Sequence, residues 1–226
     1  MSRPGKPLRV AVLGAESTGK TALTLALAEA LRERGVRAAV VPEYLREWCD
    51  AAARTPAPHE QQAIAREQAR RVLAVRDADL VLADTTPLMT AIYSELLFAD
   101  RSLHPFALAH QRHYDLTLLT GLDLPWVPDG LQRDGAHVRE PVDALVRHAL
   151  REAAVPWHVV YGHGPARRDH ALDAIFSVAS TDHLALGFQQ RSSRHTRWSP
   201  LCAHCGDAAA ERRLFRGLGP ITAPPA

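Results

Sequence analysis

The chain is poor in cysteine, in aromatic residues and in lysine, and each shortage narrows what the protein can be. Its 226 residues include three cysteines, which cannot all pair, so a disulfide framework is excluded and a reducing cytoplasm is the predicted location. Aromatic residues make up only 6%, which predicts a core of alanine, leucine and valine. No apolar run approaches the ~20 residues of a membrane span, and the first residues lack the apolar core of a signal peptide, so we expect no membrane association.

The charge balance excludes a further class of partner. Lysine and arginine number 27 against 25 aspartate and glutamate, a net charge of +2 that is too even to indicate nucleic-acid binding by charge alone. Hydrophobic residues at 46% and charged residues at 23% are typical of a folded globular protein and exclude a disordered chain. We therefore expect a folded protein without a nucleic-acid partner.

Short apolar runs alternate with amphipathic stretches up to residue 180. This alternation predicts an α/β fold, with a parallel five-stranded sheet covered by helices on both faces. The predicted strands are 8–13, 37–41, 80–83, 116–119 and 157–160, and the predicted helices are 20–34, 43–53, 59–77, 87–98, 140–154 and 166–179. The pattern is then lost, so we predict one domain over 1–180 and a partly irregular tail over 181–226.

A glycine-rich segment, GAESTGKT, lies between the first predicted strand and the first predicted helix and matches G-x-x-x-x-G-K-[ST] in full. Such a P-loop wraps backbone N–H groups around phosphate oxygens, and the helix N-terminus adds partial positive charge. Lys20 supplies a cation for the outer phosphates and Thr21 a hydroxyl for Mg²⁺. Lys20 is one of only two lysines, which disfavours an incidental match. The predicted phosphate-binding residues are Gly14, Ala15, Glu16, Ser17, Thr18, Gly19, Lys20 and Thr21.

The third predicted strand is followed at once by Asp84, Thr85 and Thr86. A carboxylate at the carboxyl end of a parallel strand faces the ligand crevice, where P-loop proteins use it to hold Mg²⁺. Alternatively, Asp84 caps the following helix, as either threonine also could. We favour the metal role.

The second predicted strand is followed by PEYLREW, which places Glu43 at the same crevice and Arg46 one helical turn later. Phosphoryl transfer needs a carboxylate near the acceptor hydroxyl and cations near the transferred group, so Glu43 is the candidate base. A first-turn glutamate that favours the helix dipole is an equally good interpretation.

The segment PWVPDGLQR, followed by Arg139, comes after the fourth predicted strand and is rich in proline and glycine. A mobile lid would lie there, and Arg133 or Arg139 would reach the phosphates when it closes. Ordinary surface arginines in a solvated loop are the alternative.

Together GAESTGKT, PEYLRE, ADTT, YDLTLL and PWVPDGL resemble the nicotinamide riboside kinase domain of the NadR family, over about residues 8–178. The resemblance implies a P-loop kinase fold, Mg-ATP as phosphoryl donor and a nucleoside-like acceptor. It also implies that Glu43 and Asp84 lie at the reaction centre and that Arg133 and Arg139 belong to the lid.

The chain departs from the family pattern on the acceptor side. Pro42 stands where the riboside kinases have an aromatic residue that stacks on the nicotinamide ring, and residues 67–72 contain no second tyrosine. The family's Asp-Gly-Leu-Arg reads DGLQ here, with the arginine displaced to Arg133. We therefore expect nicotinamide riboside to be a poor acceptor unless another aromatic residue, namely Tyr44, Trp48 or Trp126, takes over the stacking.

The predicted tail contains one C-x-x-C, formed by Cys202 and Cys205. Two thiols are half of a tetrahedral zinc site, and His195 and Cys49 are the further ligands available. Their spacing matches no standard pattern, so unligated thiols are favoured.

These motifs predict an ATP-dependent kinase of a small nucleoside-like acceptor. Its predicted catalytic residues are Lys20, Glu43, Asp84, Arg133 and Arg139; its acceptor-binding residues are Glu43, Tyr44, Arg46 and Trp126; and its Mg²⁺ ligands are Thr21 and Asp84. The alternative is a regulatory ATPase or GTPase that phosphorylates no small molecule. A phosphorylated product distinguishes the two.

Overall fold

The computed structural model describes residues 6–127 and 136–179, and within these ranges five parallel strands form one sheet. The strands are β1 (Leu8–Leu13), β2 (Ala38–Val41), β3 (Leu80–Asp84), β4 (Leu116–Thr120) and β5 (Trp157–Val160). Their order across the sheet is β2-β3-β1-β4-β5, so the first strand of the chain is the central one. The carboxyl ends of all five strands therefore lie at one edge of the sheet.

Seven α-helices connect or flank these strands in the described ranges. They are α1 (Lys20–Glu33), α2 (Tyr44–Ala52), α3 (Gln61–Ala74), α4 (Pro87–Phe98), α5 (His104–Gln111), α6 (Arg139–Glu152) and α7 (Gly164–Ala179). None of the helices in these ranges combines the length and apolarity needed to cross a membrane.

The alternation of side chains along β1 divides the core into two layers. Ala11 and Leu13 pack with helices α3 to α6 on one face, whereas Val10 and Val12 pack with α1 and α7 on the other. All six residues of β1 are buried, as expected for a parallel strand covered on both faces. This arrangement confirms the predicted fold class, with helices on both faces of a five-stranded parallel sheet.

The predicted elements are found with one omission. Strands 8–13 and 157–160 and helix 87–98 have the predicted bounds, and most other bounds differ by a turn or less. The predicted helix 59–77 is shorter, because a 3-10 turn (Pro58–Glu60) precedes α3 and the chain is extended again at Val75. Helix α5 was not predicted, although Pro105 in its first turn is a helix-start signal. The predicted tail lies outside the described residues.

Candidate active site

The glycine-rich loop joins β1 to α1 at the carboxyl edge of the sheet, and its two glycines are sterically required. A Cβ atom added at Gly14 would lie 1.9 Å from Thr120 Oγ1, so no larger residue fits unless its surroundings move. Gly19 has a φ of 72° and precedes the first residue of α1 without offering a side chain to cap it. The N-terminus of α1, with its partial positive charge, therefore has no side-chain cap from Gly19 and lies directly after the phosphate loop, as the sequence predicts.

Threonine hydroxyls hold the loop from inside. Thr18 Oγ1 donates a hydrogen bond to the Ala15 carbonyl at 2.7 Å and lies 2.7 Å from Thr120 Oγ1 on β4. The Thr120 hydroxyl is also 3.0 Å from the Leu13 carbonyl at the end of β1. Because Thr18 and Thr120 are both fully buried, these contacts fix the loop to the central strands. Thr120 is a residue of the candidate site that the sequence patterns did not indicate.

Lys20 lies over the same loop. Its Nζ donates a hydrogen bond to the Ala15 carbonyl at 2.8 Å, and its side chain is partly exposed. This contact places the ammonium group against the phosphate loop, and a lysine at this position of the motif reaches the outer phosphates of a bound nucleotide.

Thr21 and Asp84 come together as predicted. Thr21 Oγ1 donates a hydrogen bond to Asp84 Oδ2 at 2.6 Å, although 63 residues separate the two in sequence. The register of β1 and β3 sets Asp84 beside Val12, close to the start of the loop. Burial raises the pKa of the Asp84 carboxyl above its usual value, while the Thr21 hydrogen bond and two nearby cations act in the opposite direction.

These two residues fit a magnesium ion. Asp84 Oδ1 is buried and has no hydrogen-bond partner in the described part of the chain, which leaves a carboxylate oxygen for a cation. In the described ranges, no three His, Cys, Asp or Glu side chains converge on a common metal position. Mg²⁺ does not require such a cage, because it is usually held by one or two protein oxygens together with phosphates and water. The capping alternative for Asp84 is wrong, because Thr86 Oγ1 is the group that accepts from the Leu88 N–H and caps α4.

The residue after Asp84 has a strained backbone. Thr85 has a φ of 69°, a left-handed conformation that is a genuine outlier for a β-branched residue. Its N–H donates to the Val12 carbonyl at 3.1 Å, so the chain continues the pairing with β1 in this conformation. Such strain costs about 1–3 kcal/mol and is concentrated at functional sites.

Glu43 and Arg46 lie on the β2 side of the site. Glu43 occupies the position before α2, and its side chain makes no capping hydrogen bond to the helix. Arg46 Nε is 3.9 Å from Glu43 Oε2, and the Arg46 charge is one of the two that lower the pKa of Asp84. The sheet order thus brings the predicted base and a cation to the same side of β1 as the predicted metal carboxylate.

Two of the three candidate stacking residues leave the sheet on opposite sides of β1, since Tyr44 follows β2 and Trp126 follows β4. The Arg71 guanidinium lies 4.3 Å from the centre of the Tyr44 ring and covers one of its faces. Next to Trp126, the Val127 carbonyl accepts a hydrogen bond from Ser17 Oγ at 2.6 Å. The start of the predicted lid therefore contacts the phosphate loop.

Arg139, predicted in the lid, is the first residue of α6 and is buried. Its Nη2 donates to the Leu124 carbonyl at 2.8 Å and lies 3.4 Å from the Leu122 carbonyl. In this conformation Arg139 holds the segment after β4, and a contact with phosphate stays a prediction. Arg133, like His195, Cys202 and Cys205, lies outside the described residues. Cys49 is buried.

The loop, the lysine and the Thr21–Asp84 pair define a P-loop nucleotide-binding protein. The sequence profile of the AAA domain family matches residues 9–167. The chain therefore belongs to the AAA domain family. Among functionally curated proteins, none has a sequence similar enough to count as a match.

Solved structures share the fold. A NadR structure in complex with NAD and AMP-PNP has a TM-score of 0.61 at 20% identity, over 85% of this chain and 52% of that chain. A NadR structure in complex with NR has a TM-score of 0.61 at 21% identity, over 85% of this chain and 53% of that chain. Deoxyadenosine kinase from M. mycoides, solved with products dCMP and dCDP, has a TM-score of 0.53 at 12% identity, over 75% and 100%. The chain spans about half the length of the NadR chains. With the family match, these likenesses confirm the NadR-like P-loop fold predicted from the motifs.

Proposed function

We propose that the protein transfers the terminal phosphoryl group of Mg-ATP to a hydroxyl group of a small nucleoside-like acceptor. The observation that carries the proposal is the 2.6 Å contact between Thr21 and Asp84 next to the phosphate loop, with Glu43 on the neighbouring strand end. The NadR and deoxyadenosine kinase structures, whose fold is shared, contain NR or deoxynucleotides, which supports an acceptor of this class.

Each residue has a distinct task in this reaction. Backbone N–H groups of the loop and the Lys20 ammonium bind the outer phosphates of the donor, and Thr21 and Asp84 would hold Mg²⁺. When bound, Mg²⁺ neutralises the charge that develops on the transferred group. Glu43 accepts the proton of the acceptor hydroxyl as the new O–P bond forms and the bond to the leaving ADP oxygen breaks. Arg46 contributes positive charge next to Glu43, on the acceptor side of the site.

The residues expected to bind the acceptor disfavour nicotinamide riboside as a good substrate. Pro42 offers no aromatic ring, and the ring of Tyr44 already has Arg71 stacked on one face. A base-stacking contact is worth about 1–3 kcal/mol. Losing one or two such contacts would weaken acceptor binding roughly 5-fold to 10⁴-fold, unless Trp48 or Trp126 replaces them.

The family match favours a second candidate, an ATPase that phosphorylates no small molecule. Mass spectrometry on a panel of nucleosides and Mg-ATP separates the two. We expect a phosphorylated nucleoside that forms with the wild type and is strongly reduced with Glu43→Gln. Release of ADP and inorganic phosphate without a phosphorylated nucleoside across the panel would contradict the kinase proposal and support the ATPase.

A further inference from the structure

One arginine outside every motif is buried behind the phosphate loop. Arg167 lies on α7 and is only 4% exposed, although it carries a permanent charge. A buried charge is costly unless it is paired and hydrogen-bonded, so its partners indicate what it holds in place.

The Arg167 guanidinium connects three segments of the chain. Its Nη2 donates to the Thr18 carbonyl in the phosphate loop at 2.8 Å, and its Nη1 donates to the Gly162 carbonyl after β5 at 2.9 Å. Its Nη1 also lies 3.8 Å from a carboxylate oxygen of Asp123, in the segment after β4. Asp123 in turn accepts a hydrogen bond from the Gly162 N–H at 2.5 Å. Arg167 therefore completes a closed set of polar contacts.

The contact with Thr18 determines the direction of a functional N–H group. In a trans peptide the carbonyl and the following N–H point in opposite directions. Because Arg167 holds the Thr18 carbonyl towards α7, the N–H of Gly19 points away from α7 and towards the inside of the loop. That is the direction a phosphate-binding N–H requires. The Thr18 side chain is held independently by Ala15 and Thr120, so the Thr18 end of this peptide is also restrained.

We propose that Arg167 is a positioning residue for the nucleotide donor, which sets the phosphate loop in its binding conformation before the nucleotide arrives. This inference rests on the proposed use of a nucleoside triphosphate, and it applies to a kinase and to an ATPase alike. Arg167 does not touch the reacting atoms. Its removal should weaken nucleotide binding and leave acceptor binding unchanged.

The test compares the affinity for Mg-ATP, measured by calorimetry without acceptor, in three variants. Arg167→Met keeps the apolar stem and removes both donors, and we expect an affinity loss of about 10-fold to 100-fold, the usual range for hydrogen bonds that involve a charged group. Arg167→Lys keeps the charge but cannot donate to both carbonyls, so an intermediate loss is expected. Arg168→Met is the matched control, because the guanidinium of Arg168 pairs with Asp169 at the surface and should be dispensable.

In steady-state kinetics, the KM for ATP should rise in Arg167→Met while the KM for the acceptor stays the same. Wild-type affinity for Mg-ATP in folded Arg167→Met, or in Arg167→Lys if the methionine variant does not fold, would overturn the inference and leave Arg167 a structural residue. Failure of the proposed use of a nucleoside triphosphate would be visible earlier, as a wild-type protein that binds no Mg-ATP or binds it equally well after Lys20→Ala, whereas failure of the kinase proposal alone would appear only as the absence of a phosphorylated nucleoside.

Discussion

Replacing Gly14 with alanine tests how closely β4 packs against the phosphate loop. The new Cβ would lie 1.9 Å from Thr120 Oγ1 and 2.9 Å from Thr18 Oγ1, both inside van der Waals contact. The φ of Gly14 is also 152°, which residues with a side chain rarely adopt. Backbone strain contributes about 1–3 kcal/mol, and overpacking contributes about 1–3 kcal/mol more. We therefore expect the free energy of unfolding to fall by roughly 2–6 kcal/mol.

Gly35 supplies the matched control. Its φ of 80° is also left-handed, but a Cβ there would meet nothing within 4 Å. Gly35→Ala should therefore show only the backbone penalty of about 1–2 kcal/mol, partly offset by about 0.4–1 kcal/mol from the reduced entropy of the unfolded chain. Urea denaturation of the two variants measures the difference. Equal losses of stability would refute the close contact with Thr120.

A double variant separates the steric term from the backbone term. Thr120→Ala removes the oxygen that collides with the new Cβ, although Thr120 Cβ would still lie 3.2 Å away. Gly14→Ala should therefore cost less in the Thr120→Ala background, by at least about 0.5 kcal/mol. Strictly additive losses would mean that the backbone conformation alone limits Gly14. Stabilisation by Mg-ATP should be reduced in the double variant, because Thr18 loses its Thr120 contact there.

Four further outcomes are expected. Lys20→Ala should abolish most of the stabilisation by Mg-ATP, which is about 2.7 kcal/mol at 100 times Kd; an unchanged shift in melting temperature would contradict the P-loop assignment. Asp84→Asn should impair Mg²⁺-dependent turnover while the chain stays folded. Retained activity with an unaltered Mg²⁺ requirement would contradict the role of Asp84 as a Mg²⁺ ligand. Glu43→Gln should keep nucleotide affinity and lose turnover by ~10²–10⁴-fold, the range for a general base. Equal losses in nucleotide binding and turnover would contradict the role of Glu43 as the base. Burial, with the nearby His113 charge, lowers the pKa of His110 from 6.5 to about 4, so the unfolded chain binds a proton that the native chain does not. The contribution of neutral His110 to stability should therefore be fully present above about pH 6.5 and be lost as the pH falls towards 4. If the urea denaturation midpoint of His110→Gln falls as much as that of the wild type over this pH range, His110 is not the group responsible.

The local motifs were sufficient to predict Thr21 and Asp84, the proposed Mg²⁺ ligands, and the strand ends around them. The glycine pattern specifies the loop, and an aspartate after an apolar strand specifies a carboxylate at the same sheet edge. Both signals lie within a few consecutive residues. The contact of Thr21 with Asp84 then follows from the adjacency of β1 and β3, which the alternation of strands and helices alone does not fix.

The residues that hold the loop could not be predicted in this way. Thr120 and Arg167 are 102 and 149 residues from Thr18, and no periodicity or spacing relates positions so far apart. Arg167 is also one among 27 basic residues, so its type gives no signal. Arg139 was assigned to a lid because of the proline and glycine around it, whereas the structure shows it bonded to backbone carbonyls of the segment after β4.

The order of the strands places the residues of the site on two sides of β1. We expect substitutions on the two sides to have different effects on turnover and on nucleotide affinity. On one side β3 ends in Asp84 and β2 is followed by Glu43, the carboxylates expected to act on the metal and the acceptor hydroxyl. On the other side, Thr120 at the end of β4 and Arg167 on α7 contact the phosphate loop. Changes on the first side should therefore reduce turnover at nearly normal nucleotide affinity, and changes on the second side should reduce nucleotide affinity first. The strained residue Thr85 lies on the first side, where backbone strain is retained if the exact direction of the Asp84 carboxylate matters for the reaction.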